Sequence, residues 1–232
     1  MKIISNNASE NSALALTAYQ EFLRILEGLG KTQDTVTIGL SGGSSLLAFY
    51  RVFGEKFGRI DGALRPKIRF AFLDERLVPL DHADSNYRLL YEVLFERLLV
   101  DGLIASEQIY AVKTELENPE LEYFSRVPHI DIGLFGVGPD GHIASLFPQH
   151  MGLQNTSKGY IEIGDSPKPP SHRISVSKNF VQSIPIVFLF FMGEAKREVY
   201  AHFLDKNILP TQIPAKYVLF GASVTVVTDL VV

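Results

Sequence analysis

Cysteine is absent from the 232-residue chain, which excludes disulfides, thiol catalysis and thiolate metal sites. That composition fits a reducing compartment. No apolar run reaches the roughly 18 residues of a membrane span. The opening MKIISNNASENSALALTAY has one lysine and an apolar stretch broken by polar residues, which argues against a signal peptide, so a cytoplasmic location is expected. Charge of one sign is also scarce. Lys and Arg number 22 against 26 Asp and Glu, a formal net charge of −4, with no basic run and no basic–aromatic interleaving. Nucleic acid and membrane are therefore not expected partners. A local cluster of Arg and Lys inside a mildly acidic chain still suits a small anion. Metal-ligand spacing is missing too: His82, His129, His150, His172 and His202 show neither i, i+4 pairing nor HExxH. No metal is expected.

What is present is ordinary globular material, 46% hydrophobic and 21% charged, enough to build a core. The chain reads as one domain over 1–232, without repeats or a linker. Residues 8–29 show apolar positions at helical spacing (Leu16, Tyr19, Leu23, Leu26), with Asn6 and Asn7 as caps. TVTIGL (35–40), KIRFAFLDER (67–76), QIYAV (108–112), HIDIGLFGV (129–137), HRISVS (172–177), IPIVFLFFM (184–192) and ASVTVVTDLVV (222–232) read as strands, and GYIEI (159–163) as a strand among loops. Helices are expected after SGGSS, after Ser85 as N-cap, over 117–127 with Pro119 in the first turn, and from GEAKREVYAHFLD. Strands alternating with helices predict an α/β fold, a doubly wound, mostly parallel sheet covered on both faces. Such sheets bind ligands beyond the carboxyl ends of their strands. SGGSS, DER, GPDGH and GEAK all fall there.

Each cluster has a plain reading beside a functional one. In GLSGGSS (39–45), Gly42 and Gly43 let bare N–H groups approach an anion, and Ser41, Ser44 and Ser45 add hydroxyl donors at a helix start. The plain alternative is a strand–helix turn, and no Lys follows in P-loop register. In LDERLVP (73–79), Arg76 suits an oxyanion clamp, and Asp74 suits a substrate hydroxyl or the orienting of Arg76; a surface ion pair would explain the same residues. Arg173, in PPSHRIS (169–175), sits inside a β-like run and calls for an anionic partner or a water-facing edge. Lys196 stands in a first helical turn, where the dipole disfavours a cation unless an anion is near; pairing with Glu194 or Glu198 is the alternative.

The stretch LFGVGPDGHIASLFP (134–148) leaves a strand through Gly136, Gly138 and Gly141, a G-x-G-x-x-G pattern. A dinucleotide site has some support, since Glu162 lies roughly 20 residues on, where a ribose-binding acid belongs. Against it, Asp140 would face a pyrophosphate with unfavourable charge. The other reading gives His142 the task of accepting a proton at the mouth of the sheet, with Asp140 orienting it or touching substrate.

GLSGGSS, LDERLVPLDHADSNYRLL, LFGVGPDGHIASLFP, RIS and GEAK, in this order, resemble the superfamily shared by 6-phosphogluconolactonases and glucosamine-6-phosphate deaminases, from about residue 36 to 200. The resemblance implies a Rossmann-like fold without a dinucleotide, and chemistry that needs no cofactor. It implies hydrolysis of a sugar phosphate lactone in the oxidative pentose phosphate pathway, with His142 as general base. Phosphate or sugar contacts are implied from Gly42, Gly43, Ser44, Ser45, Arg76, Arg173 and Lys196. Glycines 136–141 would then shape the turn that presents Asp140 and His142. The deaminase branch carries an acid a few positions beyond DGH and a DEY-like element; here Ser145, Leu146, Phe147 and Pro148 follow, and position 76 is Arg. Both differences favour the lactonase branch. A deaminase and a non-catalytic sugar-phosphate sensor are the alternatives. Departures from the family pattern are the missing Thr-Pro after the glycines, Gln149 and His150 after SLFP, and the lack of tryptophan.

Overall fold

The computed structural model describes residues 1–5 and 11–230; Asn6 and Asn7, the expected caps, and residues 231–232 of the expected last strand lie outside them. The described residues form ten strands: β1 (Lys2–Ser5), β2 (Val36–Leu40), β3 (Ile68–Phe72), β4 (Asp74–Arg76), β5 (Ile109–Tyr110), β6 (Ile132–Gly136), β7 (Tyr160–Ile163), β8 (Arg173–Val176), β9 (Ile186–Phe191) and β10 (Ser223–Thr228). The main helices are α1 (Asn11–Gly30), α2 (Leu47–Lys56), α3 (Asn86–Leu90), which runs through a wide π turn into α4 (Glu96–Val100), α5 (Pro119–Arg126), α6 (Lys178–Ser183) and α7 (Arg197–Leu204).

Seven strands form one sheet in the order β1-β10-β9-β6-β2-β3-β5, and every neighbouring pair is parallel. From β2 the chain proceeds outward through β3 to β5. It then returns to β6 on the other flank of β2 and proceeds through β9 to β10. The direction of winding therefore reverses between β2 and β6, and a crevice opens at their carboxyl ends.

Both faces are covered by helices, as the doubly wound reading requires. Phe188 and Phe190 of β9 meet Phe22 of α1 and Phe49 of α2, with centroids 5.9 and 5.4 Å apart. The next residue, Phe191, points the other way, onto Tyr200 and Phe203 of α7. The buried stripe of α1 is Leu14, Ala18, Tyr19, Phe22 and Leu26. Leu16 and Leu23, expected in that stripe, are only partly buried, because the ring of Phe22 sets the rotation of the helix against α2.

KIRFAFLDER is two strands rather than one. At Leu73 the backbone changes partners: its N–H donates to Leu40 (2.9 Å), while its carbonyl accepts from Val176 (2.8 Å). Beyond it, Asp74–Arg76 pairs antiparallel with β8, and β8 with β7, in a separate three-stranded sheet. β1 and α6 were not expected from the pattern. Both are short, and the burial pattern of β1 exposes most of its side chains.

Candidate active site

The SGGSS turn is fastened before it becomes a helix. Ser41 donates its N–H to Leu134 (3.1 Å) and accepts the hydroxyl of Tyr50 on its carbonyl (2.7 Å). Gly43 then turns at φ +97°, a conformation that L side chains rarely adopt. Ser44 and Ser45 open a tight helical turn that leads into α2.

β4 presents Asp74 and Arg76 to the crevice, so strand alternation sends Glu75 between them into the interior. Glu75 is 1% exposed and holds the start of α3. Its Oε1 accepts the N–H groups of Arg76 and Asn86 (both 2.7 Å), and its Oε2 that of Tyr87 (2.7 Å) and the Ser85 hydroxyl (3.2 Å). Burial pushes the Glu75 carboxyl up to about 7, against the pull of those three N–H donors. Ser85 caps α3 by accepting from the N–H of Arg88 (3.2 Å), as expected. Asn86 in turn donates to the carbonyl (2.9 Å) and carboxylate (3.4 Å) of Asp74. Asp74 does not orient Arg76. Its Oδ2 accepts the hydroxyl of Ser145 (2.9 Å), which also receives Nη1 of Arg173 (3.4 Å). Arg76 donates Nη1 to the carbonyl of Asp84, and its buried Nε has no hydrogen-bond partner.

The GVGPDGH turn closes with Gly138 donating to the carbonyl of His142 (2.9 Å) and Gly141 donating to Gly138 (3.0 Å). Gly141 lies at φ +87°. His142 Nδ1 stands 2.5 Å from Asp140 Oδ1. A carboxylate only accepts, so Nδ1 carries a proton, and in the neutral ring the lone pair is on Nε2. Phe147 packs 4.8 Å from the imidazole centroid. Burial disfavours the charge of Asp140, but the hydrogen bonds and charges of His142 and Lys168 outweigh it and hold the carboxyl well below the usual range.

These groups meet in a cleft of about 190 Å³ at the crevice between β2 and β6. Gly42, Gly43, Ser44, Ser45, Asp74, Arg76, His142, Arg173 and Lys196 all line it. Asp140 stands behind His142, outside the lining. Lys196 does not pair with Glu194, which binds Arg197 instead, and its side-chain ammonium has no hydrogen-bond or ion-pair partner among the described residues. Burial and the nearby charge of Lys168 lower its pKa, partly offset by Asp140. Arg173, at 3% exposure, is engaged more fully than expected. Its Nε donates to Pro170 (2.9 Å) and its Nη2 to Lys168 (2.9 Å) and Pro169 (3.2 Å). It meets the cleft as a wall while its donors hold a loop. Among the described residues, no group of three or more His, Cys, Asp or Glu side chains is arranged to hold a metal ion, and no helix is long and apolar enough to cross a membrane.

Three residues beside the cleft escaped the sequence reading. Lys168 lies 3.1 Å from Asp140 and 3.2 Å from His142. Its signal was a cation inside a proline-stiffened SPKPP. Glu75 was detectable by strand alternation. Asn86 had entered only as part of the resemblance.

A family model described as glucosamine-6-phosphate isomerases/6-phosphogluconolactonase matches residues 9–227. The 6-phosphogluconolactonase of Homo sapiens is 31% identical over 227 residues, 92% of this chain and 85% of the relative. That of Borreliella burgdorferi is 32% identical over 201 residues, 84% and 83% of the two chains. Among solved structures, 6-phosphogluconolactonase of Thermotoga maritima superimposes with a TM-score of 0.80 at 25% identity, over 98% of this chain and all (100%) of that one. The enzyme of Leishmania guyanensis shares the fold with a TM-score of 0.82 at 20% identity, over 98% and 96% of the two chains.

Proposed function

The chain belongs to the glucosamine-6-phosphate isomerase/6-phosphogluconolactonase family, and from that we propose that it hydrolyses 6-phosphoglucono-1,5-lactone to 6-phosphogluconate, the lactone-opening step of the oxidative pentose phosphate pathway. The observation that carries the mechanism is the free Nε2 of His142 on the wall of a cleft that also holds Arg76 and Lys196.

Water beside Nε2 gives up its proton to the imidazole as its oxygen attacks the lactone carbonyl. Asp140 accepts Nδ1–H throughout, which fixes the tautomer and steadies the imidazolium as it forms. The tetrahedral intermediate collapses by breaking the ring C–O bond. The proton held on Nε2 then passes to the leaving ring oxygen, which restores the neutral base and yields the open acid. Hydride transfer has no part in this chemistry, so Gly136, Gly138 and Gly141 are read as turn residues and not as a nucleotide cradle.

The substrate phosphate is assigned to the N–H groups and hydroxyls of the Gly42–Ser45 turn, with Lys196 and Arg76 supplying positive charge. Ser145 answers the deaminase alternative locally. Past His142 it is a buried hydroxyl given to Asp74, and none of residues 145–148 is the acid that the deaminase branch carries a few positions beyond its histidine. The cleft draws Arg76 from the small sheet and the Gly42 turn from the large one, which supports reading the two sheets as one domain.

The test is lactone opening at neutral pH by the wild type and His142→Ala, corrected for spontaneous hydrolysis. A general base is worth roughly 10²–10⁴-fold; equal rates would remove the mechanism. Release of ammonia from glucosamine 6-phosphate would place the chain on the deaminase branch.

A further inference from the structure

Lys168 comes from a loop remote in sequence from the GPDGH turn, yet its ammonium touches both members of the dyad. Nζ stands 3.1 Å from Asp140 Oδ2 and 3.2 Å from His142 Nδ1, and 5.8 Å from the centroid of Phe147. The loop that carries it is held from below. The buried guanidinium of Arg173 donates to the carbonyls of Lys168, Pro169 and Pro170 in succession. Ser166 Oγ donates to the carbonyl of Lys168 (2.9 Å) and accepts its N–H (3.2 Å). A half-exposed lysine would ordinarily sample many rotamers; here its backbone is fixed and its ammonium sits over the ring of Phe147.

We propose that Lys168 is a positioning residue of the dyad, holding Asp140 as the acceptor of His142 Nδ1–H and keeping the imidazole neutral while an anionic substrate occupies the cleft. The inference rests on the assignment of His142 as the base. Two physical effects carry it. First, the ammonium occupies Oδ2 of Asp140, so the carboxylate turns Oδ1 to the ring and a single tautomer is selected. Second, a bound phosphate favours imidazolium, and a protonated histidine is no longer a base. A cation in contact with the ring opposes that change, and the opposition is strongest at contact distance.

The other charges facing His142 are Asp140 from its own turn, Lys196 from the turn after β9, Asp74 and Arg76 from β4, and Arg173 from β8. Among the described residues Lys168 is the one cation that forms an ion pair with the dyad, through Oδ2 of Asp140, and its ammonium also lies against the ring.

The experiment follows the Cε1–H resonance of His142 by NMR across pH in the wild type, Lys168→Met and Lys168→Arg, with His142→Gln used for assignment. The profile of kcat/KM for the lactone against pH is measured on the same samples. Lys168→Met is expected to move the imidazole midpoint upward by about one pH unit and to carry the acidic limb of the profile with it. Lys168→Arg is expected to restore both. A midpoint and limb that stay in place in Lys168→Met overturn the proposal, whatever happens to the rate; that is the pattern of a lysine that only props up its loop. If the wild type opens the lactone no faster than water does, the assigned reaction fails, and the NMR midpoint still decides the role of Lys168.

Discussion

Gly138 lies directly against the imidazole of His142: a Cβ at position 138 would fall 2.0 Å from both Nδ1 and Cε1 and 2.6 Å from Asp140 Oδ1. The backbone at this point is as much a part of the dyad as the two side chains, because nothing larger than hydrogen fits beneath the ring. Gly138→Ala is expected to push His142 off Asp140 and to lower kcat/KM about 10²–10³-fold. The far-ultraviolet circular dichroism spectrum should keep its shape. Activity within a few-fold of the wild type would show that the dyad tolerates the displacement.

Gly42 stands in the same relation to Asn86, whose Oδ1 would be 2.0 Å from an added Cβ. Asn86 is 1% exposed and cannot swing into solvent, so Gly42→Ala overpacks a closed site. A loss of about 1–3 kcal/mol is expected in urea unfolding, together with a raised KM as the anion turn shifts. An unchanged unfolding midpoint would mean that Asn86 has room to move.

The Lys196 ammonium faces the cleft without a partner among the described residues, at the cost of partial burial. Lys196→Met removes that buried charge and with it the contact proposed for the substrate phosphate. KM is expected to rise about 10–100-fold, with a smaller change in kcat. Inhibition by inorganic phosphate should weaken in parallel. A variant that loses kcat alone would move Lys196 from substrate anchoring to the chemical step.

Glu75 couples stability to pH. Its carboxyl is raised from the ordinary 4.5 to about 7 by burial, so between those values the folded chain holds a proton that the unfolded chain has released. Its contribution is fully present below about 4.5 and is lost as pH rises to about 7. The wild type is thus expected to melt at a lower temperature at pH 8 than at pH 5 by more than Glu75→Gln does. The variant is less stable at both values, since an amide offers one acceptor oxygen to four donors. Parallel shifts in the two proteins would show that Glu75 does not titrate in this range.

The sequence by itself determined the alternation of strands and helices, the parallel sheet with helices on both faces, and the crowding of unusual residues at strand ends. Those features are local. Apolar runs, glycines, Ser85 before a helix and Asp140 two places from His142 all act over a few residues, within reach of a reading along the chain. The side of the sheet on which the cleft opens was legible for the same reason, because a parallel strand carries its direction in the order of its residues.

What only the tertiary structure decided depends on segments that meet from far apart. Leu73 divides one run between two sheets because Leu40 accepts its N–H while Val176 donates to its carbonyl. Arg173, which the sequence offers to an anion or a water-facing edge, lines the cleft while three consecutive carbonyls take its Nε and Nη2. Lys168 reaches the dyad from a loop that this guanidinium and Ser166 hold in place. A residue type states which charge or hydrogen bond is on offer, and the partner that accepts it is set when the chain closes on itself.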